Sequence, residues 1–270
     1  MDAGGEVTAI DSAGFGPVVI AKPVTITSPD GVEAGIVATS PAVAPIEIDT
    51  AGDVFLRGLT IEGNNISPDG ISLFGAGGLG KVSTLGIVRC VIRHFTHDGI
   101  YLQPTGTLNV SILDTIASNN GWHGIELSPS GTGTIAGVIN HSTTTSNGFD
   151  GMVVWGANST GGGFTNAAIS IVNSVSANNG RNGVTVYTPQ SGLGSPGVVV
   201  TVRDTSANQN TNDGFESTGS NMIFSRSEAI LNGNNGIEIG ANLSFSFGDN
   251  YVRYNYGSDV YGALQPYKTY

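Results

Sequence analysis

An asparagine stands four residues before a turn residue in six successive segments of this chain. The six pairs are Asn120 and Gly124, Asn147 and Gly151, Asn179 and Gly183, Asn210 and Gly214, Asn232 and Gly236, and Asn255 and Asp259. Successive Asn residues lie 27, 32, 31, 22 and 23 positions apart. A period of roughly 20 to 50 residues is typical of repeat architectures, in which each unit buries its apolar face against its neighbours. The spacing therefore predicts one stacked fold.

Apolar residues alternate with other residues on both sides of each repeat Gly, and the pattern extends back to Gly99 and Gly70. The first and third residues after the Gly are Ile71 and Leu73, Ile100 and Leu102, Ile125 and Leu127, Met152 and Val154, Val184 and Val186, and Ile237 and Ile239. The residues 14 and 12 positions before it include Leu85 and Ile87, Val110 and Ile112, Ile169 and Ile171, Val200 and Val202, Met222 and Phe224, and Phe245 and Phe247. Period-two alternation predicts half-buried strands, so each turn carries at least two.

No long stretch shows helical spacing of apolar residues, and Gly, Asn, Ser and Thr are poor helix formers. Equivalent strands of successive turns must therefore lie side by side and run in the same direction. This arrangement predicts an all-β parallel β-helix with turns of about 22 to 32 residues. We expect a single domain over residues 1–270, with less regular turns in 1–63, clear repeats in 64–262 and a C-terminal tail in 263–270.

The Asn column has a structural interpretation. Asn tolerates left-handed backbone conformations, and its side-chain amide both donates and accepts hydrogen bonds. One Asn per turn is predicted to form a hydrogen-bonded ladder along the axis, built from Asn120, Asn147, Asn179, Asn210, Asn232 and Asn255. Phe95 and Ile66 occupy the equivalent positions in the two preceding turns.

Composition excludes several classes of function. The chain has 10 Lys and Arg against 21 Asp and Glu, a net charge of −11, which disfavours a surface that tracks nucleic-acid phosphates. No stretch approaches the ~18 consecutive apolar residues of a membrane span. Cys90 lies in an apolar run and is predicted to be a small core residue. The Gly-rich segment 75–81 lacks the helix that a phosphate-binding loop opens, so we interpret it as an ordinary loop.

The repeats resemble those of a known superfamily. The segment 53–65 reads Asp-Val-Phe-Leu-Arg-Gly-Leu-Thr-Ile-Glu-Gly-Asn-Asn, and the later turns carry Asn…Gly-Ile-x-Leu units. Both resemble the repeats of right-handed parallel β-helix proteins of the pectate-lyase-like superfamily. The resemblance covers nearly the whole chain and implies a right-handed parallel β-helix. Because that superfamily includes lyases, hydrolases, epimerases, tailspikes and non-catalytic surface proteins, the resemblance leaves the activity open.

The residue directly before the repeat Gly is the main candidate for chemistry. In successive turns it is Asp69, Asp98, His123, Asp150, Asn182, Asp213 and Asn235. Turn formation is one explanation, since Asp-Gly and Asn-Gly are favoured corners. Adjacent turns lie about 4.8 Å apart, so Asp98, His123 and Asp150 are expected within about 10 Å of one another. Such a row can bind a hard cation such as Ca²⁺ through Asp98 and Asp150, or supply an acid and a base.

Aromatic and polar residues flank that row in the same turns. His97 and Trp122 stand two residues before the Gly, Tyr101 and Glu126 two after it, and Trp155 four after it. Exposed aromatic rings beside acidic groups are typical of sugar binding, so we predict that these five residues contact substrate. The alternative is that the rings cover the helix edge or pack under a long loop.

The resemblance also implies catalytic patterns to look for. His123-Gly124 matches part of the Gly-His-Gly of polygalacturonase-like hydrolases, whose Asp pair is missing here. Pectate-lyase-like enzymes use Ca²⁺-binding carboxylates and an Arg or Lys base, and Arg93 lies one turn before His123. His97-Asp98 has the His and the Asp of the epimerases' Asp-Pro-His segment in reverse order and lacks its Pro. The candidate catalytic residues are therefore His123, Asp98, Asp150 and Arg93.

Two hypotheses follow. In the first, the protein binds polysaccharide on its outer face and is a Ca²⁺-assisted polysaccharide lyase or a related carbohydrate-active enzyme. In the second, it is a structural or adhesive β-helix module without chemistry. Both are expected to be secreted or to lie on the cell surface, although residues 1–5 run into a strand-like segment without a signal peptide.

Overall fold

The computed structural model describes residues 4–74, 83–156, 166–188, 197–240 and 243–267. Within these ranges the chain forms 31 strands and no helix. The Gly-rich segment 75–81 lies outside the described residues.

The strands are short and follow one another around the molecule. The first ten are β1 (Gly5–Thr8), β2 (Ala13–Phe15), β3 (Val18–Ile20), β4 (Val24–Thr27), β5 (Ala34–Val37), β6 (Ile46–Ile48), β7 (Val54–Arg57), β8 (Leu59–Glu62), β9 (Ile71–Phe74) and β10 (Thr84–Val88). The next ten are β11 (Val91–Arg93), β12 (Ile100–Gln103), β13 (Thr107–Leu113), β14 (Ile116–Ser118), β15 (Ile125–Leu127), β16 (Thr134–Asn140), β17 (Thr143–Thr145), β18 (Met152–Trp155), β19 (Asn166–Val172) and β20 (Val175–Ala177). The last are β21 (Val184–Tyr187), β22 (Val198–Arg203), β23 (Ser206–Asn208), β24 (Phe215–Thr218), β25 (Asn221–Ser225), β26 (Glu228–Ile230), β27 (Ile237–Ile239), β28 (Ser244–Ser246), β29 (Tyr251–Arg253), β30 (Val260–Tyr261) and β31 (Leu264–Pro266).

Every third strand belongs to the same sheet. Sheet A contains β1 and each third strand up to β31, sheet B runs from β2 to β29, and sheet C runs from β3 to β30. All neighbouring strands are parallel, as in the pairing of β10 with β13 and of β12 with β15. Each turn of the chain therefore contributes one strand to each of three sheets, which confirms the predicted parallel β-helix. The early strands, β1 to β8, join the same three sheets as the later ones.

The core is a single apolar column enclosed by the three sheets. The predicted inward pairs are buried in sheet C, for example Ile100 with Leu102, and in sheet A, for example Leu85 with Ile87. Cys90 is buried in the same cluster, as predicted.

One turn departs from the predicted register. Phe245 and Phe247 were expected to point inward, but Ser244 is the buried residue of β28 and Phe247 is 46% exposed. Phe224 pairs with Ser246 in sheet A, and Glu228 pairs with Tyr251 in sheet B. The segment from Ser246 to Tyr251 is therefore one residue longer than the matching segment from Phe224 to Glu228 in the preceding turn. Gly248 lies in that segment with a φ of +82°. Because side chains alternate between faces, this one-residue insertion exchanges the inward and outward positions.

The Asn column forms the predicted ladder at the corner between sheets B and C. The side-chain Nδ2 of each Asn donates to Oδ1 of the next, at 3.0, 3.1, 3.0, 3.1 and 2.9 Å from Asn120 through to Asn255. The same Oδ1 also accepts from the backbone N–H of the preceding Asn, for example from Asn147 to Asn179 at 3.1 Å. The left-handed backbone conformation predicted for the ladder Asn is adopted by the residue before it, such as Asn119 or Ser146.

A second ladder of hydroxyl groups holds the corner between sheets A and B. The backbone N–H of Cys90 donates to Thr115 Oγ1, that of Thr115 to Ser142 Oγ and that of Ser142 to Ser174 Oγ, at 3.2 to 3.3 Å. The series continues through Thr205 and Ser227. Corner N–H groups that face no sheet partner are thereby satisfied inside the molecule.

The ladder leads to a prediction about stability. Asn179→Ala removes the acceptor of both the N–H and the Nδ2 of Asn147 and leaves Asn210 Oδ1 without that donor. We expect urea denaturation to show a loss of about 2–4 kcal/mol in the free energy of unfolding, since unsatisfied buried polar groups cost about 1–3 kcal/mol each. Asn109→Ala, at an exposed position of β13, is the control and should cost less than about 0.5 kcal/mol. Equal losses in the two variants would contradict the role of the ladder.

Candidate functional site

The residues before the repeat Gly form a third ladder, directly before the strands of sheet C. Asp98 Oδ1 accepts from His123 N–H at 2.9 Å, His123 Nδ1 from Asp150 N–H at 3.3 Å, and Asp150 Oδ1 from Asn182 N–H at 3.0 Å. Asp69, Asn182, Asp213 and Asn235 accept in the same way from the following turns. Every side chain in this column is thus an acceptor, which explains why Asp, Asn and His alternate there.

The turn at Asp98 carries a cluster of titratable groups beyond the ladder. One ligand atom each from Asp98, His123 and Glu126 lies within 4.8 Å of the others, and His123 Nε2 is 3.8 Å from Glu126 Oε2. Tyr101 of β12 pairs with Glu126 of β15 across sheet C. The predicted residues Asp98, Tyr101, His123 and Glu126 are therefore neighbours on one face.

Burial raises the pKa of both carboxyl groups of this cluster. Desolvation, together with the neighbouring charge of Glu126, raises the pKa of Asp98 to about 8. Desolvation also raises the pKa of Glu126 to about 7, with Asp69 and Asp150 contributing. Burial and the charges of Glu126, Asp69 and Asp98 raise the pKa of Tyr101, so its phenol keeps its proton at neutral pH. Two acids and a phenol of unusual proton affinity share one corner.

His123 is neutral and holds its proton on Nε2. Burial and the charge of Arg181 lower its pKa to about 4. Its Nδ1 accepts from the backbone N–H of Asp150, so that nitrogen has no proton. The proton on Nε2 faces Glu126, and in this tautomer His123 is a hydrogen-bond donor toward the site.

Asp150 lies one turn further along, next to a cation. Its carboxylate is fully buried, and desolvation raises its pKa to about 6 despite the opposing effect of Arg181. Apart from the Thr185 hydroxyl, whose hydrogen bond lowers the pKa of Asp150, Asp150 Oδ2 has no hydrogen-bond partner among the described residues, and it lies 3.7 Å from both His123 Nδ1 and Arg181 Nη1. Arg181 also pairs with Glu216 at 3.0 Å. The sequence interpretation missed Arg181, which continues the column of His97, Trp122 and Phe149 by one turn.

The aromatic residues form a partly exposed row beside this cluster. His97 stacks on Trp122 with ring centroids 4.2 Å apart, and Trp122 contacts Phe149 at 6.2 Å. Trp122 and Phe149 are 46% and 47% exposed, so the predicted ring surface is open to solvent. Trp155 is partly buried and packs edge-on against Tyr187 at 5.0 Å. Trp155 lies on β18, two turns along sheet C from β12, the strand that follows His97.

Arg93 lies in a different group. Its Nε donates to Glu62 Oε2 at 3.0 Å, and His94 contacts the other oxygen of Glu62 at 2.8 Å. These contacts place Arg93 on sheet B with Glu62, whereas the guanidinium near the candidate site is that of Arg181.

The donor set does not fit the predicted Ca²⁺. Asp98 and Asp150 are separated by the rung of His123, or about 9.6 Å for two strand spacings, whereas one Ca²⁺ holds its oxygens at 2.3–2.6 Å. The group that converges contains two carboxyl groups and an imidazole nitrogen. Ca²⁺ takes six to eight oxygen ligands, so Asp98 and Asp150 are not a shared Ca²⁺ site.

Comparison with known proteins identifies the fold. A family model for the right-handed β-helix region matches residues 36–166. The chain is a right-handed parallel β-helix. The A-module of the Azotobacter vinelandii mannuronan C-5 epimerase AlgE6 has a TM-score of 0.63 and 16% identity, covering 97% of this chain and 64% of that chain. A comparison with curated protein sequences finds no match.

Two further solved structures are similar to this chain at lower TM-scores. Pectate lyase Pel9A has a TM-score of 0.48 and 15% identity over 98% of this chain and 64% of its own. ORF18 of Geobacillus virus E2 has a TM-score of 0.46 and 15% identity over 97% of this chain and 53% of its own. This chain thus spans less than two thirds of the length of all three proteins. Among the described residues, no helix is long and apolar enough to cross a membrane.

The raised pKa values predict how stability depends on pH. Between its ordinary pKa of 3.8 and its folded pKa of about 8, Asp98 holds a proton in the folded state that the unfolded state releases. Stability from this group is present at low pH and falls as pH rises, by at most about 1.4 kcal/mol per pH unit. Glu126 acts in the same sense up to pH 7 or so, while His123 has the opposite effect only below about pH 6.5.

We therefore expect the free energy of unfolding to fall between pH 6.5 and 8, and Asp98→Asn to reduce that slope. Asn keeps the ladder acceptor, as Asn182 and Asn235 do in the same column. Denaturant titrations at several pH values measure the slope, with the exposed Asp11→Asn as the control. An Asp98→Asn variant with the wild-type slope would show that Asp98 ionises normally.

Proposed function

We propose that the outer face around Asp98 binds a polysaccharide that contains uronate residues and transfers a proton at the carbon next to the uronate carboxylate. The observation that supports this function is the position of the exposed ring row of His97, Trp122 and Phe149 beside the proton-holding group of Asp98, Tyr101, His123 and Glu126. Aromatic faces provide contact area for sugar rings, and the adjacent groups provide donors and an acceptor.

The protonation states fit a uronate. At neutral pH the Asp98 carboxyl, with a pKa of about 8, and the Nε2–H of His123 are hydrogen-bond donors. Two donors can receive a sugar carboxylate and stabilise the charge that develops when its neighbouring carbon loses a proton. A protonated carboxyl also avoids the repulsion that an ionised Asp98 would exert on an acidic glycan.

Glu126 is assigned as the base. Its pKa of about 7 lies near the operating pH, where a general base is most effective, and it is the more exposed carboxyl of the cluster. The phenol of Tyr101, opposite Glu126 in sheet C, keeps its proton and is the candidate acid. In this assignment the candidate catalytic residue His123 is a hydrogen-bond donor. Elimination or epimerisation follows according to whether the leaving oxygen or the carbon receives the next proton.

The structural likeness supports only the fold. The similar A-module is that of a mannuronan C-5 epimerase, which this chain matches at 16% identity. That likeness makes an acidic polysaccharide the first substrate class to test.

Binding is tested with Trp122→Ala. Loss of the ring that stacks on His97 is expected to weaken binding of alginate or pectate by about 5- to 30-fold, corresponding to about 1–2 kcal/mol of lost ring contact. Isothermal calorimetry measures the affinity. Phe247→Ala removes an equally exposed ring from sheet A's edge and is the matched control. The site is refuted if Phe247→Ala weakens binding as much as Trp122→Ala does.

Proton transfer is tested with Glu126→Gln in D₂O. Wild type should introduce deuterium at C5 of uronates in pectate, alginate or glucuronan, and the variant should do so about 10²- to 10⁴-fold more slowly, the usual contribution of a general base. NMR detects the exchange, and ultraviolet absorbance detects unsaturated product if elimination follows. Parallel reactions with Ca²⁺ and with EDTA test the cation-assisted form. Binding without exchange in any of these glycans would remove the catalytic half of the proposal.

The non-catalytic module is the second candidate, and the third ladder favours it. Asp98, His123 and Asp150 all accept a backbone N–H, so a purely structural role explains their presence. Glu126 belongs to none of the three ladders described above, so a structural role at a corner does not explain it. Substitution of Glu126 therefore distinguishes the catalytic function from the structural one. A Glu126→Gln variant that matches wild type in both glycan affinity and deuterium exchange would support the structural module.

A further inference from the structure

We infer that Asp98, His123 and Glu126 form a binding site for one divalent transition-metal ion, of which Zn²⁺ is the simplest probe. The three ligand atoms lie within 4.8 Å of one another, Asp98 and His123 are buried, and Glu126 is partly buried. A Zn²⁺ ion with bonds of about 2.0–2.2 Å holds its ligands roughly 3.4 Å apart, so the three ligand atoms must approach one another by up to about 1.4 Å.

The chemistry of the donor set selects the class of ion. One imidazole nitrogen and two carboxyl oxygens suit Zn²⁺ and its neighbours in the first transition row, whereas Ca²⁺ and Mg²⁺ prefer oxygen alone.

A second observation lies behind the histidine. Asp150 Oδ2 is fully buried, has no partner among the described residues besides the Thr185 hydroxyl, and lies 3.7 Å from His123 Nδ1. A metal on Nε2 requires the imidazole proton to move to Nδ1, where it needs an acceptor. A small rotation of the ring, which gives up the long 3.3 Å contact with Asp150 N–H, directs Nδ1–H to Asp150 Oδ2. Metal-binding His residues usually donate to a carboxylate or carbonyl in this way.

The chain provides a matched comparison four turns away. Asp213 and Glu238 stand in the same relation to Gly214 and Gly236 as Asp98 and Glu126 do to Gly99 and Gly124. Asn235 takes the place of the histidine there and donates to Glu238 Oε2 at 2.9 Å. The second carboxyl pair thus lacks the nitrogen ligand, and Glu238→Gln serves as the control substitution.

Calorimetric titration of ZnCl₂ into the EDTA-treated, dialysed full chain tests the inference without any glycan. Wild type is expected to bind one Zn²⁺ per chain far more tightly than Ca²⁺. His123→Asn and Glu126→Gln should each weaken Zn²⁺ binding at least about 10-fold, and Asp150→Asn about 10- to 100-fold through loss of the second acceptor. Glu238→Gln should bind as wild type does. The two Asn variants keep their ladder acceptors, and thermal melts confirm their folding.

Two outcomes would overturn the metal site. The first is no stoichiometric Zn²⁺ binding by the folded wild-type chain. The second is Zn²⁺ binding that persists unchanged in His123→Asn and Glu126→Gln, which would place the ion elsewhere. Deuterium exchange into uronates is measured separately in metal-free protein, so failure of the metal site and failure of the proposed activity are distinguished.

Discussion

The fold depends on the supply of side-chain acceptors to backbone N–H groups at the corners between sheets. Strands satisfy each other along the three sheets, but a corner turns the chain away from its neighbour and leaves polar groups inside the molecule. Hydroxyls at one corner and Asn amides at the next accept from the preceding turn. The residues before the repeat Gly accept in the opposite sense, from the following turn. Each turn is thus fixed to both of its neighbours.

This constraint also explains how a site can arise without disturbing the fold. The third ladder requires only an acceptor, so Asp, Asn and His serve equally well there. Asp98 and Asp150 use one carboxylate oxygen for the ladder, and His123 uses Nδ1, which leaves the second oxygen or Nε2 free for other contacts. Addition of Glu126 and Tyr101 from sheet C converts a structural corner into a group that holds protons. In the turns of Asn182 and Asn235, an Asn takes the position that His123 has in the site, so those corners lack the imidazole.

The repeat made the fold predictable from the sequence, but the strands of sheet B were not predicted because their inward residues are small. Sheets A and C place large apolar residues inward, so their strands are visible as alternation. Sheet B points Ala117, Thr144, Ser176 and Ala207 inward, while Ile116 and Val175 are about 40% exposed. That inverted pattern concealed the third strand of each turn. A single extra residue near Gly248 also shifted the register of β28, because the prediction for that strand used a fixed distance from the repeat position.

The sequence located the site but could not assign its partners. Column positions placed Asp98, Tyr101, His123 and Glu126 on one edge, because each turn repeats the same spacing. The lean of each side chain along the axis decides which of them meet. Asp98 leans toward the turn of His123 and Glu126, and Asp150 toward that of Asn182, so the two aspartates do not converge. Arg181 occupies the same repeat position as His97, Trp122 and Phe149, and the pattern of rings in that position did not predict a cation there.

The most direct test of this account is an NMR titration of the side-chain carboxyl carbons in ¹³C-labelled protein, with Asp98→Asn and Glu126→Gln to assign the signals. The account predicts that Asp98 titrates with a pKa near 8 and Glu126 near 7, because both lie in a desolvated corner. Titration of both carboxyl groups near their ordinary values of 3.8 and 4.5 would contradict it. The corner would then be an ordinary solvated edge of the β-helix, without carboxyl groups of raised pKa that could act as acid or base.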